Sequence, residues 1–267
     1  MNAIPSSTFP FGQPVRPVDS GDPGNRDCII VGGLPSALAI RWRVPGGKLV
    51  QGFVVDNEPS PFWDGHDQDA RIRAWRQAVC WQEAWGEAAP TRQNGQVGSW
   101  LNQQVLAPLA LSRDRVCATT LLNTYHANDA ARHRIDEHYR PAMQRLGLPT
   151  CMVPDHPGSE DLLRRSLAEE RDRLAALLRA PGVRTLVTLG TASFRAMREV
   201  LGAAAVVPDN ALGDGPAYGL GHELQFDGRA LRWHAFVSPT APASMQRVHT
   251  AWAQRLGAPL QRVGAFK

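Results

Sequence analysis

The stretch Cys28-Ile29-Ile30-Val31-Gly32-Gly33-Leu34-Pro35-Ser36 constrains this chain more than any other. Four consecutive apolar residues read as a strand buried on both faces, the pattern of a parallel sheet. Two glycines and a proline then end the run. The glycines allow the backbone to approach a ligand closely, and Pro35 fixes the direction in which the chain leaves. Open α/β sheets bind ligands beyond the carboxyl ends of their strands. The amides of this turn are therefore candidate ligand contacts. Taken alone, the same turn serves equally well as a plain strand-to-helix connection.

Similar apolar runs recur. Residues 116–122 end at Asn123-Thr124-Tyr125-His126, and residues 183–189 precede Gly190-Thr191. Residues 231–237 lead into Ser238-Pro239-Thr240-Ala241-Pro242-Ala243-Ser244. Helical periodicity covers residues 67–85, 98–109, 129–146, 159–179, 191–201 and a final segment to 256. Residues 37–43 read as a short helix or turn, and residues 49–55 as a second extended segment. Residues 224–226 and 231–237, joined by Asp227-Gly228, read as a hairpin. Buried strands alternating with helices predict an α/β fold in one domain over residues 27–260, a doubly wound, mainly parallel sheet flanked by helices. Residues 1–26 read as an extended arm rich in Pro and Gly, with Phe9, Phe11 and Val15 available to pack on the body.

Composition narrows the class. A chain of 267 residues with 43% hydrophobic content folds as a globular protein. No apolar run approaches the roughly 20 residues of a membrane span. The first residues lack the basic flank and apolar block of a signal peptide, which points to a cytoplasmic protein with no membrane partner. Cys28, Cys80, Cys117 and Cys151 form no C-x-x-C pair, and two of them lie inside apolar runs. No metal or other cofactor is expected. The formal charge of +4 suits a polyanionic partner without requiring one. Arginine outnumbers lysine, and its planar fork matches phosphate.

Four loops at strand ends share a character: 32–36, 56–63, 123–126 and 238–244. In this order the chain resembles the uracil-DNA glycosylase superfamily. V-G-G-L-P-S matches the glycine and proline of that family's water-activating loop, and T-T-L-L-N-T-Y matches its strand ending in Asn. L-V-T-L-G-T-A-S-F matches a later strand–Gly–helix unit, and F-V-S-P-T-A-P-A-S loosely matches the Pro-Ser loop that grips DNA. The resemblance spans roughly residues 27–256. Leu34 stands where uracil-removing members carry Asp or Asn, and Ser238 stands where they commonly carry His.

The resemblance implies a monofunctional DNA glycosylase that flips a nucleotide and hydrolyses its N-glycosidic bond, in DNA repair or anti-phage defence. With Leu34 in the motif, a substituted pyrimidine is expected ahead of uracil. The alternatives are a catalytically inactive DNA-binding protein on the same fold and a plain uracil-DNA glycosylase. DNA is the expected partner of a monomeric protein. Asn123 is the residue expected to read the base edge, or else it caps a turn. Asp56 or Glu58 would orient water and stabilise the sugar cation, or else both belong to a solvated acidic loop. Gly33, Leu34, Pro35, Phe53, Phe62, Trp63, Tyr125 and His126 are candidates for the base pocket. Ser36, Ser238, Pro239, Thr240, Ser244 and Arg247 are candidates for phosphate contacts.

Overall fold

The computed structural model describes residues 7–205 and 207–256. Residues 1–6 of the expected arm and 257–260 of the expected domain lie outside the described residues. The strands are β1 (Cys28–Gly32), β2 (Ala37–Arg43), β3 (Leu49–Asn57), β4 (Glu87–Ala89), β5 (Val116–Thr120), β6 (Thr185–Leu189), β7 (Gly221–Phe226) and β8 (Arg229–Phe236). The α-helices are α1 (Gln68–Ala78), α2 (Gln96–Leu101), α3 (Asp129–Arg134), α4 (Arg140–Leu146), α5 (Ser159–Glu169), α6 (Arg171–Leu178), α7 (Thr191–Leu201) and α8 (Ala243–Arg255). One π-helical turn, Asn102–Leu106, extends α2, and another, Ile135–Tyr139, joins α3 to α4.

The chain divides into two compact units. Among the described residues, unit 1 comprises 7–18, 35–96 and 124–157; unit 2 comprises 19–34, 97–123, 158–205 and 207–256. The mainly parallel sheet belongs to unit 2, in the order β5-β1-β6-β8-β7. The first four of these strands are parallel, and β7 adds an antiparallel edge. The β7–β8 hairpin turns through Asp227 and Gly228, both with positive φ (48° and 74°), the geometry of a tight I′ turn. Ile29, Val31, Leu186, Leu174, Leu178, Phe194, Met197 and Trp233 fill the core of this unit. β1 and β5 are buried along their whole length, which is why their sequences show no alternation.

Unit 1 holds a three-stranded antiparallel sheet, β3-β2-β4. Its core is aromatic: Phe9, Phe11, Trp42, Phe53, Trp75, Trp85 and Tyr139 are buried together. The ring of Phe11 lies 5.3 Å from Trp42 and 5.1 Å from Tyr139, and its amide donates to the Tyr139 hydroxyl at 2.6 Å.

Three elements differ from the sequence expectation. Residues 37–43 are a strand: Leu38, Ile40 and Trp42 point inward while Arg41 and Arg43 are exposed. The helix expected over residues 67–85 ends at Ala78, where Val79 caps it and Cys80 adopts a positive φ of 50°. The helix expected over residues 159–179 is interrupted at Glu170, whose ψ of 0° departs from helical geometry and separates α5 from α6.

Candidate functional site

In unit 2 the carboxyl ends of the four parallel strands lie along one edge of the sheet, in the order β5, β1, β6, β8. Taken along the chain, this spatial order is second, first, third, fourth. The reversal falls at β1 and β6, and such a switch point opens a crevice for ligands. The turn after β1 is tied to the turn after β5. The Leu121 amide donates to the Gly32 and Gly33 carbonyls at 2.9 and 3.0 Å.

Asn123 follows directly on this junction. Its side chain is half-buried and makes no hydrogen bond among the described residues. A capping Asn would be engaged with a backbone amide, as Asn128 is with the Ala131 amide at 2.9 Å. The strand below Asn123 is held by Arg173 of α6. That guanidinium donates to the Thr119 hydroxyl at 2.6 Å and to the Thr120 carbonyl at 2.7 Å, while its Nε donates to Glu170 at 2.5 Å. Sequence reasoning missed Arg173, since an arginine on a charge-rich helix looks the same whether it faces water or a strand end.

β6 is followed by Gly190, whose amide donates to the Phe236 carbonyl at 2.7 Å. Gly190 has φ +89°, and a Cβ there would stand 3.2 Å from the Ser238 Cβ. Only glycine meets both conditions at low cost. The turn after β8 is braced by Gln246, which donates to the Ser238 and Pro239 carbonyls at 2.8 and 3.1 Å. The hydroxyls of Ser238 and Thr240 are 3.2 Å apart, and Pro239 is buried. Ser244 and Arg247 are exposed on the first two turns of α8, where the leading amides lack helical acceptors. Leu34, by contrast, packs against the core of unit 2, and Gly33 is half-buried beside Leu162.

The remaining candidates belong to unit 1. Glu58 is buried, and its carboxylate accepts from the Ser36 amide at 2.9 Å, fastening the turn at Pro35 and Ser36 to the end of β3. Asp56 is half-buried; its Oδ1 accepts from the Asn57 amide and side chain at 2.8 and 3.2 Å. Its Oδ2 has no hydrogen-bond partner among the described residues. Burial raises the Asp56 pKa, and the bonds from Asn57 oppose that shift. Phe62 is buried with a positive φ of 58°, and Trp63 is buried with its indole N–H donating to Asp67 at 2.8 Å.

Phe53 corrects the expectation of a base-stacking ring. It is fully buried between Phe11, Trp42 and Tyr139, so its surface is spent on the core. Tyr125 is likewise buried and stacked on Phe9, with burial holding its hydroxyl protonated far above the usual range. His126 is buried, its Nδ1 lying 3.0 Å from the Thr124 carbonyl.

In comparisons by sequence, no family model and no curated protein matches the chain.

Proposed function

We propose that the protein is a monofunctional DNA glycosylase that removes a substituted pyrimidine and leaves an abasic site. The observation that carries this reading is the uncommitted carboxamide of Asn123 at the carboxyl end of a parallel strand, beside the Gly32–Gly33 turn. An amide offers a donor and an acceptor together, which suits the edge of a flipped base. As the bond from the sugar C1′ to the base nitrogen breaks, the base gains negative charge and the sugar gains oxocarbenium character. Asn123 donates to the departing base, and a carboxylate stabilises the cation and orients the water that adds to C1′.

Asp56 suits the carboxylate role better than Glu58, because Glu58 is bound to the Ser36 amide whereas Asp56 Oδ2 remains unbonded. Leu34 is apolar and packs against the core of unit 2, so it cannot orient water. An apolar residue at the motif position where uracil-removing members carry Asp or Asn supports a substituted pyrimidine over plain uracil. The Ser238–Ser244 turn and Arg247 supply hydroxyls, amides and one charge for phosphates. Repair and anti-phage defence both use this chemistry.

The second reading is a DNA-binding protein without catalysis, favoured by the apolar Leu34 at the motif position. Abasic-site formation separates the two. Duplexes carrying 5-substituted pyrimidines are incubated with wild type, Asn123→Ala and Asp56→Asn, then cleaved with alkali, while binding is followed in parallel. The glycosylase reading expects strand cleavage by wild type and a loss of at least about tenfold in both variants with binding retained. Binding with no abasic sites on any duplex supports the inactive reading.

A further inference from the structure

Unit 1 carries a surface that the proposed glycosylase chemistry does not use. After α1 the chain turns sharply at Cys80 and lays Trp81 back against the aromatic core. The ring packs on Phe11, Trp75 and Trp85, at centroid distances of 4.9, 5.3 and 5.6 Å. Its indole N–H donates to the Gly86 carbonyl at 3.3 Å. The ring therefore holds its orientation while remaining part-exposed. The Arg76 guanidinium stands 5.9 Å from the ring centroid.

Two open cavities share Trp81 and Arg76 as lining. The larger, about 740 Å³, is also lined by Arg43, Glu83 and Glu87; the smaller, about 400 Å³, is also lined by Arg73. Arg43 is paired with Glu87 at 3.4 Å. Arg73 and Arg76 are exposed and make no hydrogen bond or ion pair among the described residues. An aromatic ring fixed in place and flanked by exposed arginines without ion pairs is the physical pattern of a single-strand groove. Bases stack on the ring, and phosphates meet the guanidinium groups.

We infer that this surface binds single-stranded DNA, with one base stacked on Trp81 in the larger cavity and the adjoining phosphates on Arg73 and Arg76. Glu83 and Glu87 repel phosphate from the larger cavity and so keep the backbone on the α1 side. The site requires no glycosidic cleavage and stands or falls independently of the catalytic reading.

The test is fluorescence anisotropy of a labelled oligo-dT strand of about twelve nucleotides, a length matching one single-strand site, with the full chain over a range of salt. Such a strand carries no modified base, so the outcome is independent of catalysis. Trp81→Leu keeps apolar packing but removes the stacking ring, and should weaken binding at least about tenfold. Arg73→Gln with Arg76→Gln changes only exposed groups, and should lower the salt slope by about 1.4, two single-strand phosphates' worth. Arg164→Gln with Arg179→Gln, which removes two exposed arginines elsewhere, should bind as wild type. No binding by wild type at low salt, equal losses in the control pair, or an unchanged slope in Arg73→Gln/Arg76→Gln overturns the proposal.

Discussion

Asn123 and Asp56 are both polar residues at the ends of strands, yet they stand in opposite energetic positions. The Asn123 amide makes no bond within the described residues, so Asn123→Ala should leave the melting temperature nearly unchanged. Its turnover should fall at least about tenfold, roughly 1.4 kcal/mol of transition-state stabilisation. Thermal melts beside single-turnover rates check both halves. Asp56 is held with a raised pKa, so the folded protein binds its proton more tightly than the unfolded chain does. Its contribution is fully present below the unfolded value of 3.8 and is lost as pH rises through the folded pKa. Asp56→Asn should therefore raise the melting temperature at pH 7 and flatten the pH dependence just above 3.8, while reducing turnover. Phe53 illustrates what local sequence withholds at this scale. β3 is buried on both faces from Gly52 to Val55, so alternation cannot distinguish a core ring from a pocket ring.

At the scale of elements, the parallel strands were legible because each is a short apolar run that ends in Gly, Asn or Ser. β2 was legible only to a period-two count, since Leu38, Ile40 and Trp42 alternate with Ala39, Arg41 and Arg43. The nearby Pro35 and the turn at Pro45-Gly46-Gly47 made a short helix or turn look natural there. The Arg173 clamp lay beyond reading, because it joins residues more than fifty positions apart. Its geometry makes a prediction. Arg173→Gln removes charge-assisted bonds to the Thr119 hydroxyl and the Thr120 carbonyl, and should cost about 2 kcal/mol in urea unfolding. Arg173→Lys, which lacks the planar fork, should recover only part of that loss.

For the molecule as a whole, acid stability should be governed in part by His249. This buried residue of α8 has Nδ1 2.7 Å from the Tyr218 hydroxyl and Nε2 2.8 Å from the Gln104 carbonyl. A carbonyl only accepts, so Nε2 carries the proton and Tyr218 donates to Nδ1; the Tyr218 oxygen accepts from the Val237 amide at 3.3 Å. Burial lowers the His249 pKa from 6.5 to about 4. The unfolded chain then binds more protons between these values, so stability should fall as pH drops from 6.5 towards 4, by about 3 kcal/mol. Urea midpoints measured across that window should drop in wild type and change less in His249→Gln. The division into two units left no local trace, because unit 1 is assembled from three separated stretches and its core is joined only by tertiary contact. Hydrolysis at a substituted pyrimidine is tested by mass-spectrometric detection of free base released from duplexes in single turnover. A 5-substituted pyrimidine should be released faster than uracil, with Asp56→Asn at least about tenfold slower. Uracil released as fast as the substituted base, or no base released from any duplex, would contradict it.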